Sequence, residues 1–253
     1  AMRALVINLA RSRERMHFQS TQLESLGIEF ERLEAIDAKQ LDRETYEKNA
    51  YHWERPLRDT EVACCLSHAT AWKHVQQLKE PCLILEDDAL LCSQTKEILE
   101  ALEKQTQYDC ISLETRGRKK VVSKEKEPLT DVFKISKLIH DKSGAAAYVL
   151  FPSGAEILLE KLRTQGAGLA DALITTTYHW KHGQIEPAAA IQLDCCHLYG
   201  IECPLETQTH IHHKDKPKAK DPLRFYWRRS IAQSTLALRK VRAFASSESK
   251  EIL

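Results

Sequence analysis

Glu86, Asp87 and Asp88 close a short apolar run, Cys82-Leu83-Ile84-Leu85, that begins after Pro81. Three adjacent carboxylates repel one another, so at the end of a buried segment they require either solvent or a cation. Oxygen donors suit Mg²⁺ or Mn²⁺, ions commonly held by one or two carboxylates together with the phosphates of a substrate. The run is too short for an ordinary helix and suits a buried parallel strand. The open carboxyl end of such a strand is the usual ligand position in an α/β sheet. A solvated acidic turn is the alternative that these three residues leave open.

Histidines and cysteines supply further candidates. Ser67 and His68 fall in a segment of helical apolar spacing, where a hydrogen-bonded packing histidine is the plain alternative to a ligand. His210 and His212 point the same way on an extended chain and can share a metal, while a solvated linker reads the same residues differently. The eight cysteines include no paired C-x-x-C zinc pattern, and several sit inside apolar runs as small core residues. That usage points to a reducing compartment, with disulfides as the alternative.

The elements that must position these groups can be taken in order. Ala4-Leu5-Val6-Ile7-Asn8-Leu9 reads as a buried strand, a polar helix opens at Arg11-Ser12-Arg13-Glu14-Arg15 and stops at Gly27, and Ile28 to Leu33 is a second strand ending near Asp37. Such a β-α-β unit brings Asn8 through Arg15 and Asp37 to one sheet edge that can hold a nucleotide. After a surface excursion containing Tyr51, His52 and Trp53, a helix runs from Thr60 to about Lys79, capped by Asp59 or Thr60. A helix over 94–105 and a strand over 108–113 follow the acidic triplet. Arg116 to Pro128 is dense in charge and reads as a mobile, solvated loop. A short edge strand over 132–135, a small-residue strand ending at Leu150, and a helix over 154–162 capped by Ser153 come next. Asp171 then opens a helical stretch over 172–178, where an acid also simply complements the helix dipole. A last extended segment covers 186–192.

At 253 residues the chain suits one large domain with appendages: a main domain over 1–205, a His/Lys-rich linker or site-closing segment over 206–221, and a basic amphipathic helix over 222–253. That helix fits packing on the domain, dimerisation or an anionic membrane surface. Lys plus Arg at 37 nearly balance Asp plus Glu at 36, so no global field points to nucleic acid and any basic surface is local. Residues 1–3 lead straight into a strand without a secretory-signal pattern, and no run of about 18 apolar residues occurs. The expected location is cytoplasmic, peripheral on the inner membrane face if the last helix binds lipid.

Four stretches taken together resemble glycosyltransferase family 25, the bacterial lipooligosaccharide sugar transferases. They are Val6-Ile7-Asn8-Leu9 with the separated Arg11, Arg13 and Arg15; Glu61-Val62-Ala63-Cys64-Cys65-Leu66-Ser67-His68 with Trp72; Leu85-Glu86-Asp87-Asp88; and Gly144-Ala145-Ala146-Ala147-Tyr148. The likeness spans approximately residues 4 to 192; Ala63 stands where many relatives have Gly, and the His-rich tail is poorly matched. The resemblance implies an α/β, GT-A-like single domain with a mainly parallel central sheet flanked by helices and a C-terminal helical appendage. It also implies an inverting, metal-dependent transfer of hexose from a UDP-sugar, galactose ahead of glucose, to a lipooligosaccharide or lipopolysaccharide acceptor.

Within that resemblance Asp88 is the expected direct ligand of Mn²⁺ or Mg²⁺, with Glu86 orienting the shell, Asp87 touching ribose or sharing the metal, and His210 and His212 as weaker second ligands. Asn8, Leu9 and Arg11 are expected against the base and ribose, Asp37 on the uracil and Arg15 on phosphate, with Ser67 and His68 also in the donor-binding set. Asp171, which follows the Gly166-Ala167-Gly168 loop, is the first candidate for the base, and Glu114 the second. A sugar nucleotidyltransferase, a nucleotide-diphosphate hydrolase and a nucleotide-sugar-binding protein without turnover are the competing readings, and the oligomeric state stays open.

Overall fold

A computed structural model describes residues 1–105, 107–142, 144–205, 217 and 221–253. Its chain order is β1 (Ala4–Asn8), α1 (Arg13–Leu26), β2 (Phe30–Glu34), a 3-10 turn (Ala38–Gln40), α2 (Arg43–Asn49), α3 (Asp59–Leu78), β3 (Cys82–Glu86), β4 (Ala89–Leu91) and α4 (Thr95–Leu102). There follow β5 (Cys110–Ser112), β6 (Lys119–Pro128), β7 (Lys134–His140), β8 (Ala147–Leu150), α5 (Pro152–Gln165), α6 (Ala170–Thr175), β9 (His182–Glu186), β10 (Ala190–Gln192), a second 3-10 segment (Leu193–Tyr199), α7 (Pro222–Ala243) and β11 (Ser247–Glu251).

Nine strands form one sheet in the order β11-β6-β7-β9-β5-β8-β3-β1-β2, and β4 pairs with β10 in a separate ribbon. The expected α/β class, with helices flanking a central sheet and a helical C-terminal piece, describes this architecture. The sheet is mixed: β1 runs parallel to β2 and β3, β5 runs parallel to β9, and the remaining pairs are antiparallel. Strand alternation divides the core. Leu5, Ile7 and Ile84 face α3, α5 and α6, whereas Ala4, Val6, Leu83 and Leu85 face α1 and α4. From β1 the chain passes first to β2 on one side and then, through α3, to β3 on the other, so the crevice beyond Asn8 and Glu86 is the switch point of the parallel part.

Several local expectations are corrected. The charged stretch read as a solvated loop contains β6, paired on both sides by β7 and β11, with Lys120 and Val122 buried on alternate positions. Its charge density hid a period of two, because the inward Lys120 finds a carboxylate partner inside the protein. β7 lies inside the sheet rather than at an edge. Ser153 does not cap α5: Phe151 is the extended cap residue and Pro152 takes the first helical position, where its missing N–H costs nothing. Neither Asp59 nor Thr60 caps α3; the extended residue before it is Arg58, whose backbone N–H donates to the Glu61 carboxylate at 2.8 Å. The helix over the C-terminal piece ends at Ala243, and β11 returns to the sheet.

Candidate active site

The crevice is furnished first from β1 and α1. Asn8 ends β1 almost fully buried, and its Nδ2 donates to Asp87 Oδ2 at 2.7 Å and to the Ser12 carbonyl at 3.0 Å. Arg32 on β2 donates to Asn8 Oδ1 at 2.9 Å and so fixes which way the amide faces. Arg15 adds an ion pair to Asp87 Oδ1 at 3.1 Å. Burial pushes the Asp87 carboxyl up, and the Asn8 and Arg15 hydrogen bonds oppose that. Farther along the same face of α1, Gln19 donates to the Asp87 and Ala89 carbonyls, and Gln22 brackets Ala89 and Leu91. The polar stripe Arg15-Gln19-Gln22 therefore clamps the backbone of the acidic turn as well as one of its carboxylates.

Glu86 is held from the other side of the sheet. His68 on α3 is 1% exposed, and its Nε2 lies 3.0 Å from Glu86 Oε1. A carboxylate only accepts, so Nε2 carries the proton; in the neutral ring Nδ1 then accepts from the Tyr148 hydroxyl at 2.9 Å. That hydroxyl in turn accepts the Trp72 indole N–H at 2.9 Å. Trp72, Tyr148, His68 and Glu86 form one relay from the core to the crevice. Burial acts most strongly and raises the Glu86 carboxyl, but the His68 contact and the Arg116 and Arg15 charges together bring the group below the usual glutamate value.

Asp88 differs from its two neighbours. Burial, followed by the adjacent Glu86 charge, lifts it to about 7. Its Oδ1 is buried with no hydrogen-bond partner among the described residues, while Oδ2 and Glu86 Oε2 share the Gln192 amide at 3.4 Å each. Gln192 ends β10, which reaches the site because β10 pairs with β4 immediately after the acidic turn. Asp171 stands in the first turn of α6, where an acid complements the helix dipole, and accepts the Ala172 N–H at 2.8 Å. It also faces the crevice electrostatically: burial raises its carboxyl first, and the Glu86 charge adds to this. Glu114 lies deeper, 2% exposed, accepting from the Ala146 N–H at 3.3 Å and pushed up to about 8 by burial against the opposing pull of Lys120.

This chemistry fits a hard divalent cation. Glu86 and Asp88 offer carboxylate oxygens, one of them buried and without a partner among the described residues, and an unpaired buried acceptor is costly unless something positive meets it. One potential ligand atom from each of Cys64, His68 and Glu86 also lies within 4.8 Å of the others, a softer donor set beside the oxygen one.

The remaining candidates divide by position. Arg11 pairs with Asp37, whose other oxygen accepts the Lys39 N–H at 2.9 Å, so these two residues meet at the sheet edge beside partly buried Leu9. Ser67 is buried; its hydroxyl donates to the Ala63 carbonyl and accepts the Ile36 N–H, tying α3 to the segment after β2. His210 and His212 lie outside the described residues. Gln19, Arg32, Tyr148, Trp72 and Gln192 escaped the sequence reading as site residues. The i, i+4, i+7 polar spacing of Arg15, Gln19 and Gln22 was the signal available for α1, and Gln192 carried none.

A sequence model described as glycosyltransferase family 25 (LPS biosynthesis protein) matches residues 2–174. The chain is similar to a glycosyltransferase 25 family member of Drosophila melanogaster, 33% identical over 146 residues that cover 51% of this chain and 23% of that protein. It is likewise similar to procollagen galactosyltransferase 2 of Mus musculus, 32% identical over 139 residues covering 48% of this chain and 21% of the relative. The chain thus spans less than a quarter of the length of these curated relatives.

Proposed function

We propose, from the premise that this chain belongs to glycosyltransferase family 25, that it moves a hexose from a UDP-sugar to a glycan acceptor with inversion, assisted by a divalent cation. The observation that carries the reading is the buried Asp88 oxygen beside Glu86, without a hydrogen-bond partner among the described residues, at the switch-point crevice of the sheet. Galactose is favoured over glucose because one relative is named as a galactosyltransferase. A lipopolysaccharide-type acceptor is favoured by the family's own description.

Mn²⁺ or Mg²⁺ would be held by Asp88 and Glu86 and would supply charge neutralisation for the departing diphosphate. The chain's own residues do the rest. The His68 contact, with the Arg116 and Arg15 charges, keeps Glu86 ionised, and the Asn8 and Arg15 hydrogen bonds hold Asp87 against the floor of the crevice. Arg11 and Asp37, paired at the β1–β2 edge, are exposed enough to exchange their mutual contact for the base and ribose of a nucleotide. Asp171, lifted by burial toward the pH at which a base works, takes the proton of the acceptor hydroxyl, and Glu114 is the second candidate.

The test offers UDP-galactose and UDP-glucose with Mn²⁺ and a lipooligosaccharide acceptor to the parent chain and to Asp88→Asn. The expected result is UDP and an extended glycan from the parent and a loss of at least about a hundredfold in the variant. Release of pyrophosphate would move the chain to the nucleotidyltransferases. Donor binding without turnover on any acceptor would leave it a binding protein.

A further inference from the structure

Helix α7 uses only one of its faces on the protein. Phe225 is buried, Arg228 donates to the Tyr51 and Trp53 carbonyls at 2.9 and 3.1 Å, and Arg239 donates to the Ile139 and Tyr178 carbonyls at 2.9 and 3.2 Å. At 3.6 residues per turn those three share a side of the helix. The opposite side carries Leu223, Tyr226, Trp227, Val241 and Phe244, each between 68% and 82% exposed, while Ile231 and Leu238 line the cleft between α7 and the main domain. Elsewhere the described surface shows only scattered large apolar side chains, so this stripe calls for a partner.

Charge identifies the partner. In a chain of net charge +1, α7 holds five arginines and a lysine and not one acidic residue. Arg224 and Arg242 border one edge of the apolar stripe, and Arg229 and Lys240 border the other, on the same 3.6-residue geometry. An apolar face with Trp, Tyr and Phe between two basic margins matches the interface of an anionic bilayer, with the rings at the headgroup level and the cations on phosphates. A second copy suits it poorly, because two such faces brought together would set cation against cation with no acid on either helix. None of the described helices is long and apolar enough to cross a membrane, so α7 can lie on one but not span it. Its return into β11, paired along its length with β6, and the buried Ile252 beyond fasten the stripe to the main sheet.

We propose that the outward face of α7 is a membrane-docking surface that seats the protein in the plane of an anionic bilayer. The surface depends on α7 alone and holds whether or not the transferase reading does.

Co-sedimentation with vesicles tests it, using phosphatidylglycerol mixed equally with phosphatidylcholine, against phosphatidylcholine alone, at low and high salt. The parent chain is expected to partition onto the anionic vesicles and to leave them as salt rises. The triple variant Tyr226→Ser, Trp227→Ser, Val241→Ser should lose roughly tenfold or more of that partitioning. So should the charge variant Arg229→Glu, Lys240→Glu. All five positions are exposed, so unchanged melting curves check that the fold is intact. Equal partitioning onto both vesicle types, or undiminished binding by both variants, would overturn the proposal. So would the absence of vesicle binding together with a concentration-dependent dimer that the triple variant abolishes. UDP-sugar turnover measured in detergent-free solution is the separate readout for the transferase reading.

Discussion

Four carboxylates approach one another around Glu86, and their surroundings give them different work. Glu86 is hydrogen-bonded to His68, Asp87 is tied down by Asn8 and Arg15, and Asp88 has one oxygen without a partner among the described residues. Asp171, which burial raises and the Glu86 charge raises further, is left out of the cation-holding pair and is our proposed base. Asp171→Asn is therefore expected to lower the turnover rate by about two to four orders of magnitude with little change in donor affinity. An unimpaired Asp171→Asn beside an inactive Glu114→Gln would exchange the two roles. Glu114 also makes a stability prediction. Its folded value, about 8, stands above the ordinary 4.5, so the folded state retains a proton that the unfolded state has lost between those values. The contribution is present in full below about 4.5 and is lost as pH rises through about 8, with a slope of up to about 1.4 kcal/mol per pH unit. Denaturant unfolding of Glu114→Gln should show less loss of stability between pH 5 and pH 9 than the parent, and parallel curves would contradict the burial argument.

At the scale of elements, α1 and α3 act as jigs for the acidic turn. Gln19 is fully buried, and its amide spans the Asp87 and Ala89 carbonyls. Gln19→Leu preserves volume but leaves the Asp87 carbonyl without its side-chain donor and the Ala89 carbonyl with Gln22 alone, a cost of about 1–3 kcal/mol. The expected phenotype is a lower melting temperature together with weakened donor binding; a change in stability alone would mean that the clamp is merely structural. Helix α5 is pinned at Gly154, where an added Cβ would fall 2.1 Å from the Asp109 carbonyl oxygen. Gly154→Ala must therefore push α5 away from β5, at about 1–3 kcal/mol by the usual cost of overpacking, read as a drop in the urea midpoint.

For the whole molecule, the decisive property is that three chain-distant segments meet at one crevice. β1 with α1, β3 with the acidic turn, and β10 with Gln192 are brought together by the parallel β2-β1-β3 array and the β4–β10 ribbon. A ligand that binds only this assembled state must stabilise it. UDP with Mn²⁺ is expected to raise the melting temperature of the parent chain by several degrees and to leave Asp88→Asn unmoved. UDP acting equally on both proteins would detach the nucleotide from Asp88.

Sequence alone determined the elements whose apolar spacing is strong: β1, α1 with its Gly27 stop, α3 and β3. It also determined the acidic triplet as the centre of interest, because three carboxylates ending an apolar strand are legible without any neighbour. It could not determine which partner each acid takes. Asn8, His68 and Gln192 lie 79, 18 and 104–106 positions from the carboxylates they meet, and no local pattern carries that distance. β6 failed for the related reason that Lys120 is buried only because Asp141 waits 2.8 Å away across the fold. A charged side chain looks solvated until its counter-charge is placed, and placing it is the work of tertiary structure, where the desolvation cost of an ion and the partner that offsets it come from different parts of the chain.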